Sequence, residues 1–134
     1  MKKKKLKVLV DMSATILHHG HINLLKKASK YGSVIVALTK DKEIFDCKGF
    51  HPELNFSQRS KILKSIKYVS RVIPSNWNID NKFIKKYKID ILVHGSDNFN
   101  AAMNVKIKTF PRTVGISSSK LRKKIFNTFK RKKK

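Results

Sequence analysis

A chain of 134 residues is long enough to bury one core and too short for two, and its 40% hydrophobic content is that of a globular domain. No apolar run reaches the ~18 residues of a membrane span, and the lone Cys47 excludes an internal disulfide. The net charge of +24 points toward polyanions, yet it is carried by 27 lysines against 5 arginines, beside 14 isoleucines and 9 asparagines.

That bias is what an AT-rich coding sequence produces, whereas nucleic-acid readers lean on arginine for bidentate contacts. The charge is therefore expected to be compositional. Weak electrostatic association with anionic membrane is allowed and no specific nucleic acid is expected. Met1 to Lys5 precedes only a few apolar residues and no small-residue cleavage site, which does not read as a signal peptide, and a cytoplasmic location is expected.

In chain order, Leu6 to Met12 reads as a short buried strand and Ser13 to Gly20 as a loop. His21 to Tyr31 reads as a helix with Ile22, Leu25, Ala28 and Tyr31 inward and Lys26, Lys27 and Lys30 outward, stopped by Gly32. Ser33 to Thr39 is a β-branched strand, and Lys40 to Asn55 reads as a polar loop. Ser57 to Lys67 is a helix with Ile62, Leu63 and Ile66 inward, followed by a strand from Val69 to Pro74. Asp80 to Lys88 is a lysine-faced helix, Ile89 to His94 a strand and Val105 to Phe110 another. The last helix runs from Ser117 to about Phe129 with Leu121, Ile125 and Phe129 at spacing four, and 130–134 is a frayed basic tail. This alternation predicts a single α/β domain over 1–129: a three-layer, Rossmann-like parallel sheet of about five strands with helices on both faces.

Ligands of such sheets bind outside the carboxyl ends of the strands. Four stretches fall on that rim: Ser13 to His21, Lys40 to Lys48, Gly95 to Asn98 and Arg112 to Ser119. In the first, His18-His19-Gly20-His21 opens a helix, where imidazole donors, a glycine that lets backbone come close and the helix dipole suit phosphate. A zinc reading of His18 and His21, completed by His19, Cys47 or His51, lacks the His-Glu-x-x-His spacing, so no protein metal ligand is expected. In the last stretch, scarce Arg112, Thr113, Gly115, Ile116, Ser117 and Ser118 precede a helix in a second anion-binding arrangement.

These motifs resemble the cytidylyltransferase family of nucleotidyltransferases, whose signature is H-x-G-H at a strand–loop–helix junction. The resemblance runs from Leu6 to about Ile125. It takes in Lys48, Arg59, the stretch Ile66 to Pro74, His94 to Asp97, and R-T-V-G-I-S-S-S from Arg112 to Ser119. The last is similar to the R-T-x-G-I-S-T-T of enzymes that make CDP-glycerol. The resemblance implies transfer of CMP from CTP to a small phosphorylated alcohol, glycerol 3-phosphate first, with Mg²⁺ on the triphosphate and a homodimer with Tyr68 to Pro74 near its interface. It implies catalytic roles for His18, His21, Lys48 and Arg112. Nucleotide contacts would come from Ser13, Ala14, Gly20, Asp97, Arg112, Thr113, Gly115, Ile116, Ser117 and Ser118, and substrate contacts from Lys48 and Arg59.

Departures stand beside it. Met12-Ser13-Ala14-Thr15 replaces the family's G-T-F-D, removing an acid at Thr15, and Gly95-Ser96-Asp97-Asn98 replaces G-D-D-W. The stretch Asp11 to Ala14 with paired His18-His19 is similar to enzymes acting on 2-aminoethylphosphonate. Phosphocholine as acceptor, ATP as nucleotide, and a non-catalytic nucleic-acid-binding module are the remaining alternatives.

Overall fold

The computed structural model describes residues 5–95 and 105–132. Its elements alternate as expected: β1 (Lys7–Met12), α1 (His19–Ser29), β2 (Ser33–Thr39), α2 (Asp41–Lys48), α3 (Phe56–Lys64), β3 (Arg71–Ser75), α4 (Asn81–Lys86), β4 (Ile91–Gly95), β5 (Lys106–Phe110) and α5 (Ser118–Lys132). The five strands form one sheet in the order β3-β2-β1-β4-β5, every neighbouring pair parallel.

Alternation along the strands divides the core in two. Val8, Val10, Val34, Val36 and Val93 point to one face, where Leu25 and Ala28 of α1 and Leu63 of α3 cover them. Leu9, Ile35, Ala37, Ile73 and Leu92 point to the other, under Ile84 and Phe83 of α4. Burial on both faces explains why the central strands read as unbroken apolar runs, and it produces the expected three-layer Rossmann-like architecture. The strand order reverses direction between β1 and β4, which opens a crevice at their carboxyl ends.

Several expectations need correction. The stretch read as a loop from Lys40 contains α2, which buries a single residue, Ile44, and so carries no apolar stripe for periodicity to find. Asp41 and Glu43 in its first turn favour its amino-terminal dipole, and Gly49 closes it in the left-handed conformation. The helix expected from His21 begins at His19, because His18 caps it. In α3, Leu63 is buried but Ile62 is exposed. On α5, Ile125 and Phe129 are exposed, and the helix continues through Lys132, three residues past the expected end near Phe129.

Candidate active site

At the crevice, the segment following β1, the amino ends of α1 and α5, and the end of α2 enclose a cleft of about 260 Å³, a small-molecule scale. Of the residues singled out by sequence, Ser13, Ala14, His18, Gly20, His21, Lys48, Arg112, Thr113, Ile116, Ser117 and Ser118 line it. Gly115 does not line it but adopts φ +84 in the turn that delivers Ile116 to Ser119. Asp97 lies outside the described residues.

The two histidines form a reciprocal cap on α1. His18, in extended backbone conformation, accepts at Nδ1 from the Gly20 amide at 3.0 Å, and its own amide donates to His21 Nδ1 at 3.1 Å. Histidines here take the positions that serine and glutamate fill in an ordinary capping box. Because both Nδ1 atoms accept, each neutral ring carries its proton on Nε2, the nitrogen left to offer a ligand. Burial, followed by the neighbouring His18, lowers the His21 pKa to about 4 despite the opposing hydrogen bond from the His18 backbone. Burial and then His19 lower that of His18. Both rings are therefore neutral hydrogen-bond donors at neutral pH.

Gly20, in the cleft lining, has a further reason for being glycine. A Cβ there would sit 2.7 Å from His18 Cε1 and 2.9 Å from Nδ1, so the capping ring occupies the space a side chain would need. Beside it, Ala14 holds φ 45 while buried, a left-handed conformation that a non-glycine residue keeps only under firm tertiary constraint.

That constraint includes Arg59, which sequence placed on the substrate. The structure instead buries it to 2% exposure and away from the cleft lining. Its guanidinium donates to Ser13 O at 2.6 Å, Leu54 O at 3.0 Å and Asp41 Oδ1 at 2.5 Å, tying the β1–α1 loop to α2. Thr15, where the family pattern has an acid, is 1% exposed and accepts from Arg122 Nη2 at 3.0 Å. Arg122 also forks onto Glu53 at 2.5 to 3.1 Å and lies over the Phe50 ring. Glu53 supplies the carboxylate that meets Arg122. Sequence reading missed Arg122 and Glu53; the scarcity of arginine was the signal available for the former.

The rest of the lining is cationic and hydroxylic. Lys48 ends α2, its Nζ 5.7 Å from the Trp77 ring, and its pKa is lowered by desolvation first, then by Arg122 and Arg112. Lys27, expected to face solvent only, also lines the cleft, and its Nζ lies over Phe110. Asn23 Nδ2 donates to Thr113 Oγ1 at 3.1 Å, joining α1 to the segment before α5. At the start of α5, Ser117 Oγ accepts from the Lys120 amide and Ser118 Oγ donates to Ile16 O. Asp11 is the one carboxylate among the described residues of the cleft lining, and its Oδ1 lies 2.7 Å from Nδ1 of fully buried His94. Among the described residues no group of three or more His, Cys, Asp or Glu side chains is placed to hold a metal.

Two helix amino ends, neutral imidazole donors and cations are gathered at the switch point of a parallel sheet, an arrangement chemically suited to phosphates and compatible with a nucleotidyltransferase. The cytidylyltransferase-like family model matches residues 13–124, and the chain belongs to that family of nucleotidyltransferases. It is 33% identical to the glycerol-3-phosphate cytidylyltransferase of Bacillus subtilis over 89% of this chain and 96% of that one. It is 35% identical to the FAD synthase of Thermococcus sibiricus over 75% of this chain and 70% of that one. The crystal structure of a lipopolysaccharide core biosynthesis protein from Thermoplasma volcanium superposes with a TM-score of 0.72 at 25% identity, covering 82% of this chain and 99% of that one.

Proposed function

We propose that the protein transfers CMP from CTP to glycerol 3-phosphate, releasing pyrophosphate and forming CDP-glycerol. The observation that carries this reading is the reciprocal histidine cap, which reserves the Nε2–H of both rings for a cleft shared with the amino end of α5.

A phosphate oxygen of the acceptor attacks the α-phosphorus. As the new P–O bond forms, the bond to the bridging α–β oxygen breaks, and pyrophosphate leaves with the electron pair. A phosphomonoester is largely dianionic at neutral pH, so no general base is needed. The protein positions two anions in line and neutralises charge developing on the transferred group and the leaving group. His18 and His21 donate to those oxygens without the cost of burying a charge. Arg112, the hydroxyl of Ser117, and the amides at the start of α5, that of Ser118 among them, hold the outer phosphates. Lys48, on the short helix bordering the cleft, meets the transferred phosphate, while Ser13 and Ala14 contact the nucleotide. Mg²⁺ arrives on the triphosphate as part of the substrate, where it screens the phosphate oxygens.

Asp11 favours a second reading, an acceptor bearing an ammonium group such as 2-aminoethylphosphonate, since a carboxylate in a cationic cleft would select it. One assay separates the two. The protein is incubated with each nucleoside triphosphate, Mg²⁺ and either acceptor, and pyrophosphate release is followed. Release with CTP and glycerol 3-phosphate is expected. Release confined to the aminated acceptor, or to ATP, would replace the assignment.

A further inference from the structure

Among the described residues, helix α5 is anchored at its start and exposed beyond. Ser118 and Arg122 tie its first turns to Ile16, Thr15 and Glu53, and Leu121 is half-buried there. Further along, Ile125, Phe126 and Phe129 are 51%, 64% and 62% exposed. At roughly 100° per residue these three and Leu121 occupy one arc of about 140°, so the buried stripe continues into an exposed one. The opposite arc carries exposed Lys120, Lys123, Lys124 and Lys130, and no acidic residue occurs anywhere in the helix.

Charge decides what covers this face. A second copy would bring two lysine-flanked helices without a single carboxylate against each other, and like charges would oppose the pairing. An anionic bilayer meets both demands: aromatic and aliphatic side chains enter the headgroup–acyl boundary while lysines reach lipid phosphates. The net charge of +24 adds attraction at longer range.

We propose that α5 is an interfacial helix that docks the protein on an anionic lipid surface through Ile125, Phe126 and Phe129, with Lys123, Lys124 and Lys130 at the headgroups. This inference is independent of the nucleotide and acceptor assigned above.

The test is co-sedimentation of the full chain with phosphatidylcholine vesicles, with or without phosphatidylglycerol, at physiological salt. Binding only to the anionic vesicles is expected. The double variant Phe126→Glu/Phe129→Glu should partition at least about tenfold more weakly, with an unchanged circular dichroism spectrum because both side chains are exposed. Lys123→Gln/Lys124→Gln should weaken binding severalfold. Failure of the wild type to bind anionic vesicles overturns the proposal. Undiminished binding by the phenylalanine variant also overturns it, reducing the attraction to diffuse charge. So does a wild-type oligomer that this variant dissociates without any vesicle binding, which would assign the face to a second copy. Tight nucleic-acid binding lost in the same variant would equally reject a lipid surface.

Discussion

His18 and His21 close the helix cap with Nδ1, and in the proposed reaction the Nε2 of each donates to phosphate. Alanine at either position is expected to lower turnover by ~10²–10³, as loss of a preorganised donor does in other oxyanion sites. Pyrophosphate release within a few fold of wild type, in a folded variant, would refute the role. Gly20→Ala should act through the same ring, because its Cβ would displace His18 from the cap. We expect a loss of about 1 kcal/mol of stability, together with most of the turnover. The depressed His21 pKa also sets a pH dependence. Between about 4 and 6.5 the unfolded chain binds a proton that the folded chain does not, so stability rises with pH across that window and levels off above it. Urea midpoints at intervals from pH 4.5 to 7.5 should rise and then plateau, with a shallower rise in His21→Asn. A flat wild-type profile would contradict the burial of a neutral ring.

At the scale of elements, the site depends on α2 and α5 being held against the loop after β1. Arg59 joins α2 to Ser13 by one hydrogen bond to each and holds Leu54 by a third, and Arg122 joins α5 to Thr15 and to Glu53. Arg59→Ala is expected to destabilise the protein by about 3 kcal/mol, because it strands a buried carbonyl and leaves Asp41 without its cation. Arg59→Lys should recover only part of that in urea unfolding, since an ammonium cannot span the three acceptors. If the alanine variant kept its stability and its KM, Arg59 would not be positioning the loop.

For the whole molecule, β3 and β5 are the exposed edges of the sheet, and Pro74 on β3 discourages open-ended strand pairing there. A homodimer through the Tyr68 to Pro74 region is the expected assembly, and a strict monomer by light scattering at working concentration would reject it. The amino end of β1 lies about 13 Å along the strand from Asp11 in the cleft lining, beyond the ~8 Å over which charge acts at physiological salt. Removing Lys2 to Lys5 should therefore leave turnover within about twofold, a direct check that this basic run is not catalytic.

Chemistry that depends on local pattern was legible in the chain itself. The β-branched runs specified buried parallel strands, and the H-x-G-H and R-T-V-G-I-S-S-S stretches marked two helix starts that line one cleft. Tertiary structure decided what depends on partners distant in sequence. Arg59 resembles a substrate ligand until Ser13, 46 residues away, is seen to occupy it. Arg122 meets Thr15, 107 residues away, and Glu53, 69 residues away, partners that no reading of either loop alone can reveal. Helix α2, with one buried residue, and the outward apolar face of α5 escape periodicity for a common reason. Spacing reports that a face is apolar, whereas only packing determines whether anything in the same chain covers it.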